Sequence, residues 1–365
     1  MEKARIGIIG TGWWTTTAHI PALMQNPNAE LVALADKRKE TLDKATACCQ
    51  PVKAYLDYRE MLAKEKLDGV IVAVNHTAHY EVAKAVLDAG LHLLLEKPMV
   101  LEAAEAYELM DLANHKGKEL IVGYPWHYTA RTKQARDIVQ SGELGAIQYV
   151  SSLFTSMTIE FYRNNAEAYR PTFGYPVTGP GTAYSDPKLA GGGQGHLQIT
   201  HSAAAMFFVT GLQADRVSSF MENWDVPVDL VDAISVRFKP VKGNRRAVGV
   251  LGSTGNIDLP TGGEYNVNVY CENGYLFLNE MDGTVTVHKN GQPEQHFAAL
   301  PPEDRYPSFA TSQNLVDVIL GKAENGSPAI VGVRVVELLD AAYRSAAADG
   351  QAFSVGDLVS VKHAH

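Results

Sequence analysis

Residues able to do chemistry concentrate at Glu96-Lys97-Pro98, which directly follows the apolar run Leu91-His92-Leu93-Leu94-Leu95. A lysine at the carboxyl end of a buried strand stands where open parallel α/β sheets hold their ligands. Beside a positively charged cofactor ring such a lysine loses affinity for its proton and can serve as an acid and a base near neutral pH. A second group of residues lies near the start of the chain. Gly7-Ile8-Ile9-Gly10-Thr11-Gly12 ends an apolar stretch and opens onto a Thr-rich segment. Glycines at such a strand-to-helix turn let backbone N–H groups approach a pyrophosphate at the positive end of a helix. The third position of this fingerprint is Thr15 rather than Gly or Ala, a change that bears on helix-to-sheet packing. Asp36 follows about two dozen residues later, where an acid accepts both ribose hydroxyls of NAD. Lys37 and Arg38 come next and would suit a 2′-phosphate if Asp36 turned away, so NAD is the expected cofactor and NADP the alternative. Asp36 could also cap a helix beginning near Lys39. Trp13 and Trp14 put two large rings inside the glycine loop, either as a wall for the nicotinamide or sugar or as a staple onto the rest of the protein.

These groups need a scaffold, and the sequence shows its parts. Runs 5–9, 31–35, 69–74, 91–95 and 120–123 are short, apolar and bounded by turn or charge signals. Between them, 37–47, 80–89 and 101–116 carry apolar residues at helical spacing. This alternation predicts a doubly wound parallel sheet. A helix is expected over 129–140, and strand-like alternation begins near Ile147, so a second domain is drawn at 124–365 after a first at 1–123. Residues 159–193 are rich in Gly, Pro, Tyr and Asn, with Pro171, Pro176, Pro180 and Pro187 opposing regular helix. A segment of that length inside a compact domain is usually a lid or an interface arm. Alternating stretches at 216–239, 247–251, 265–270, 275–279 and 284–288 predict an antiparallel sheet, closed by helices over 308–320 and 331–347.

Composition narrows the function. With 46% hydrophobic and 20% charged residues the chain reads as globular, and 365 residues suit two domains. Its net charge of −9 disfavours nucleic acid, whose phosphates call for basic fields. Of three cysteines, Cys48 and Cys49 are adjacent and Cys271 stands alone, which matches neither a disulfide framework nor a metal-ligand spacing, so no metal is expected. No signal-peptide core precedes Gly10, and the uncharged stretch 189–214 is broken by polar residues such as Gln194 and Gln198. A cytoplasmic protein without membrane attachment is expected.

In order and spacing, several motifs resemble the glucose-fructose oxidoreductase, inositol dehydrogenase and rhizopine catabolism family (Gfo/Idh/MocA). They are Gly-Ile-Ile-Gly-Thr-Gly, Asp36, His79 before Glu81-Val82-Ala83, Gly90 before Glu96-Lys97-Pro98, Ser141-Gly142-Glu143-Leu144-Gly145, Gly191-Gly192-Gly193 and His201. The resemblance implies an α/β chain: an N-terminal Rossmann domain, then an α+β domain with a large, mostly antiparallel open sheet facing the active site or a partner subunit. It implies that Lys97 hydrogen-bonds the reacting hydroxyl, often after a cis Lys-Pro peptide, and that His201 is its acid/base partner while the cofactor's C4 takes the hydride. The aspartate that relatives carry four residues before this histidine is Leu197 here, with Gln194, His196 and Gln198 around it as uncharged substitutes. His127 falls where many relatives have arginine or lysine, between Trp126 and Tyr128, rings that suit a sugar platform. Asn75 and His76 replace a common Pro-Asn pair. The cofactor is thus expected against Gly10, Thr11, Gly12, Trp13, Trp14, Asp36, Lys37, Arg38, Asn75, His76, His79, Glu96 and Lys97. The substrate is expected against Lys97, Trp126, His127, Tyr184, Gln194, Gln198 and His201. The implied activity is NAD(P)-dependent oxidation or reduction at a secondary hydroxyl or carbonyl of a sugar, inositol or sugar derivative, by a homodimer or homotetramer joined through the second sheet. An NAD-retaining glycosidase and a non-enzymatic dinucleotide-binding regulator are the alternatives.

Overall fold

Runs of four to seven apolar residues flanked by turns favour strands buried on both faces, and the amphipathic stretches between them supply covering helices. A computed structural model describes residues 3–49, 52–257 and 263–360. Strands β1 (Ala4–Ile9), β2 (Ala29–Ala35), β3 (Lys53–Tyr55), β4 (Gly69–Val72), β5 (His92–Leu95) and β6 (Leu120–Val122) form a parallel sheet in the order β3-β2-β1-β4-β5-β6. The order reverses direction between β1 and β4, and the crevice at their carboxyl ends is where such sheets bind ligands. Strand β3 is an addition to the sequence reading; its three residues are exposed or half-buried, so they carry no apolar signature.

A second sheet holds β7 (Ile147–Thr155), β8 (Ala214–Glu222), β9 (Val231–Lys242), β10 (Arg245–Thr254), β11 (Tyr265–Cys271), β12 (Gly274–Asn279), β13 (Thr284–Lys289), β14 (Gln295–Phe297) and β15 (Phe353–Ser354). Its order is β14-β13-β12-β11-β7-β10-β9-β8-β15, and only β7 and β10 run parallel. The alternating stretch 216–239 proves to be two strands. The turn at 223–230 interrupts it, sending Val226, Val228 and Leu230 into a small apolar cluster with Leu197 and Tyr162.

The helix Thr200–Thr210 is buried at every residue, so no amphipathic period marks it in the sequence. It lies against the second sheet and between the helices Ala130–Gln140 and Ala329–Ala347. The chain also returns to the first sheet: Leu315 and Val316 of the helix Ala310–Ile319 share one cluster with Ile6, Ile8, Ile71 and Leu94. Side chains buried to this degree each contribute about 1.5–3 kcal/mol from removal of apolar surface from water. Residues 159–190 fold as short helical turns, Ile159–Tyr162, Arg170–Phe173 and Pro187–Ala190 among them. Their aromatic rings pack on one another, Phe161 lying 4.9 Å from Tyr169 and 5.6 Å from Phe173. Among the described residues no helix is long and apolar enough to cross a membrane.

Candidate active site

The turn after β1 is built for close approach. Gly10 has φ +92°, and a Cβ there would stand 2.3 Å from the Ala73 carbonyl oxygen, so glycine is required. Gly12 differs: nothing comes nearer to its Cβ position than Arg38 Nη2 at 3.9 Å, and its N–H has no acceptor among the described residues. Thr15, the departure from the usual fingerprint, donates its hydroxyl to the Gly10 carbonyl at 2.7 Å and so fastens the loop to the helix it opens.

Asp36, one residue past β2, faces this loop. Its Oδ2 accepts the Thr11 N–H at 2.9 Å and the Thr11 hydroxyl at 3.1 Å, and its Oδ1 accepts the Arg38 N–H at 2.9 Å. The Arg38 guanidinium reaches both oxygens at 3.3 Å. Burial opposes the charge on Asp36, but the Arg38 side chain and the Thr11 and Arg38 amides outweigh it and hold the carboxyl below its usual range.

Loop and strand end meet at Glu96. Its carboxylate accepts the Trp14 indole N–H at 3.2 Å and the Lys97 amide at 3.2 Å. His19 Nε2 lies 3.2 Å from Oε1 without hydrogen-bond alignment. Glu96 packs so closely that a Cβ on Gly123 would come within 2.5 Å of it. The Lys97-Pro98 peptide is cis. His79, expected at the cofactor, has both ring nitrogens turned into the protein, Nδ1 toward the Pro98 carbonyl at 2.7 Å and Nε2 toward that of Val74 at 3.1 Å. It braces the turn that carries Lys97. His76 likewise spends Nδ1 on the Ala190 carbonyl at 2.9 Å, tying the loop with Asn75 to the 159–190 segment.

Lys97 is half-buried and donates from Nζ to the Leu197 carbonyl at 3.1 Å. Burial lowers its pKa to about 8, against the opposing pull of Glu96. The residue in place of the expected aspartate therefore supplies an acceptor after all, from its backbone. His201 is buried with Nδ1 unpartnered, its ring 5.1 Å from that of Trp126. Burial first, then the charge of Lys97, holds His201 well below the usual histidine value, so it is a neutral imidazole.

One cavity of about 1360 Å³ joins these groups, lined by Gly12, Asp36, Asn75, Lys97, Gln198 and His201 among others. Trp126 forms part of its wall, 4.5 Å from Tyr306 and 4.9 Å from Tyr265. Trp13 spans the cleft: its ring lies 5.5 Å from Phe161 and from Phe173, 5.6 Å from Tyr175 and 6.4 Å from Tyr184. Both of its sequence-level roles are compatible with that position, since Trp13, Trp14 and Tyr184 also line the cavity.

Two expected substrate contacts lie away from the cavity lining. His127 is off the cavity wall; it stacks on Phe208 at 4.2 Å and binds the Ser327 hydroxyl through Nδ1 at 2.9 Å. Gln194 is fully buried, its amide oxygen accepting from Thr158 and Tyr162 and its nitrogen donating to Ser156 and Ser253. All its hydrogen-bonding capacity is used within the protein. The sequence reading missed Tyr306 and Phe154, wall residues with no motif around them.

The cradle fits a dinucleotide: an open Gly12 N–H at a helix start for a phosphate, a charged acid beside it for ribose, and a lysine and a histidine farther along the same cavity. Residues 4–124 match the model of an oxidoreductase family with an NAD-binding Rossmann fold. Over 149 residues the chain is 33% identical to an uncharacterized oxidoreductase of Schizosaccharomyces pombe, covering 40% of each chain. Over 158 residues it is 31% identical to a dTDP-3,4-didehydro-2,6-dideoxy-alpha-D-glucose 3-reductase of Streptomyces violaceoruber, covering 42% of this chain and 45% of the relative. The aligned parts thus span less than half the length of these relatives. The crystal structure of an oxidoreductase domain protein from Kribbella flavida shares the fold along 97% of this chain and 100% of its own, with a TM-score of 0.79 and 20% identity. Residues 4–124 thus match the nucleotide-binding domain of the Gfo/Idh/MocA oxidoreductase family.

Proposed function

We propose that the protein is an NAD-dependent oxidoreductase acting at a secondary hydroxyl, or the matching carbonyl, of a sugar, inositol or sugar derivative. The observation that carries this reading is the pairing of Lys97, with its pKa near 8, and neutral His201 on the wall of the cavity that begins at the Gly12 cradle. When bound, the nicotinamide supplies the two-electron oxidant or reductant. Lys97 as a free amine takes a proton from a hydroxyl during oxidation and, protonated, donates one to a carbonyl during reduction. His201, on the cavity wall, is placed to hold the substrate oxygen or relay its proton. The Trp126 and Tyr306 rings offer apolar faces to a sugar ring and exclude water from the reacting groups.

The charge held on Asp36 favours ribose hydroxyls over a 2′-phosphate, and its pairing with Arg38 occupies the nearest cation, which supports NAD over NADP. The relative that reduces a dTDP-sugar supports the carbohydrate class. Self-association through the second sheet is part of the proposal. On one face of that sheet Val248, Tyr149 and Tyr270 stand opposite one another on β10, β7 and β11, with Val248 48% and Tyr270 38% exposed. Such a row is an apolar surface suited to a second copy.

A panel of sugars, polyols and their keto forms, assayed with NAD(H) and NADP(H) by nicotinamide absorbance, tests the reading. Turnover with at least one member, faster with NAD(H) and lost in Lys97→Met, is expected. No turnover across the panel by folded protein that binds NAD would overturn it.

A further inference from the structure

The run Gly191-Gly192-Gly193-Gln194-Gly195 precedes the helix that carries His201, and three of its amide groups are claimed by one residue, Asp229. Asp229 Oδ1 accepts the Gly193 N–H at 2.6 Å and the Tyr343 hydroxyl at 2.9 Å, and Oδ2 accepts the Gly195 N–H at 2.8 Å. Its backbone carbonyl takes the Gln194 N–H at 2.8 Å. The glycines make the grip feasible. A Cβ at Gly193 would lie 2.1 Å from the Asp229 carbonyl oxygen, and Cβ atoms at Gly192 and Gly195 would lie 2.3 and 2.6 Å from the Tyr343 hydroxyl. Two residues beyond Gly195 the chain presents the Leu197 carbonyl to Lys97.

Resting on the function proposed above, we propose that Asp229 is a positioning residue for Lys97: by gripping Gly193 and Gly195 it fixes the Leu197 carbonyl and so sets where the lysine amine stands. A carboxylate at a helix start gains both from charge-assisted hydrogen bonds and from the helix dipole. Asp229 accepts from three donors, and a second buried carboxyl adjoins it. Asp232, buried at the head of β9, takes no donor from any other group and lies beside Asp229. Two adjoining buried carboxyls do not both ionise readily, and the one without donors keeps the proton. Burial first, and then Asp229, accordingly raise the Asp232 pKa well above the usual carboxylate range. The other titratable groups that face the pair are Tyr162, Tyr343 and His196. All three are uncharged near neutral pH, because burial raises both phenols so that they keep their protons and takes His196 down to about 4.

The test compares Asp229→Asn, Tyr343→Phe and Asp232→Asn in the full chain. It follows kcat, KM, affinity for NAD and the pH titration of the Lys97 side chain, read by NMR of 13Cε-labelled lysine assigned through Lys97→Met. An amide in place of Asp229 turns a donor toward other donors, so kcat should fall roughly 10- to 100-fold and the Lys97 titration should move by half a unit or more, with NAD affinity within about twofold. Tyr343→Phe removes one of the three donors to the carboxylate and should give a smaller loss in the same direction, which decides the matter if Asp229→Asn does not fold. Asp232→Asn copies the protonated acid and should keep kcat within about twofold. If the Lys97 titration moves as stated while no variant or parent turns over any substrate, the functional reading fails and the positioning role stands. Folded Asp229→Asn and Tyr343→Phe proteins with the parent's Lys97 titration and kcat would overturn it.

Discussion

Two glycine clusters introduce helices in this molecule, and they are used in opposite ways. At Gly10 to Gly12 the missing Cβ atoms clear a path to the strand on one side and leave the other side open, with the Gly12 N–H unclaimed among the described residues. At Gly191 to Gly195 the missing Cβ atoms make room for the protein itself, and the Asp229 carboxylate takes the Gly193 and Gly195 amides. Both clusters read alike as glycine before helix. The difference teaches that a glycine-rich helix start marks a ligand site only when its amides are left without an internal acid; when an acid is supplied, the same device becomes a mount for the residues downstream.

The comparison breaks most sharply at the glycines with the least room. Gly10→Ala places a side chain in left-handed backbone and against Ala73, and Gly193→Ala drives one into Asp229; each should cost about 3 kcal/mol or more of stability. Their consequences should diverge in calorimetric titration and steady-state kinetics. Gly10→Ala should lose NAD affinity at least 100-fold, whereas Gly193→Ala should keep that affinity within a fewfold and lose turnover. Equal loss of NAD binding in both would erase the distinction between the two clusters.

Gly12→Ala sharpens it with a smaller effect. The new methyl meets nothing nearer than Arg38 Nη2 at 3.9 Å, so the melting temperature should stay close to that of the parent, while NAD affinity drops about tenfold, or about 1.4 kcal/mol. A fall in stability with unchanged affinity would mean the open side of the loop faces nothing.

The smallest effect concerns Lys97, which connects the two regions. Its folded pKa of about 8 lies below that of an unfolded lysine. Between those values the unfolded chain holds a proton that the folded chain lacks, so stability rises with pH through that window, and below about 8 the buried charge is a burden. Lys97→Met should therefore melt a few degrees above the parent at pH 7, with the gap narrowing as the pH climbs past 8. A variant that melts lower at every pH would show that the Leu197 hydrogen bond outweighs the burial of the charge.

Much of the scaffold was legible because burial writes itself into sequence. Strands β1, β2, β4, β5 and β6 are short apolar runs, and the glycine loop, Asp36 and Lys97 mark the carboxyl ends of β1, β2 and β5. Strand β3 was not, since Lys53-Ala54-Tyr55 pairs through its backbone at an exposed edge. The helix Thr200–Thr210 escaped for the opposite reason, being buried all round. At the site, Lys97 was legible from its place after an apolar strand and His201 from the family resemblance, but nothing local distinguishes Gln194 or His127 as internal supports from ligands of a substrate. That depends on partners 30 to 200 positions away, such as Thr158, Ser253 and Ser327.

Trp13 and Trp14 have an optical consequence. Of the four tryptophans in the chain, these two and Trp126 line the cavity, while Trp224 stands 79% exposed on the 223–230 turn. Reduced nicotinamide absorbs where indole emits, so a dinucleotide seated on the glycine loop would drain the emission of the three lining rings. The unlabelled chain thus carries a fluorescent gauge of cofactor occupancy.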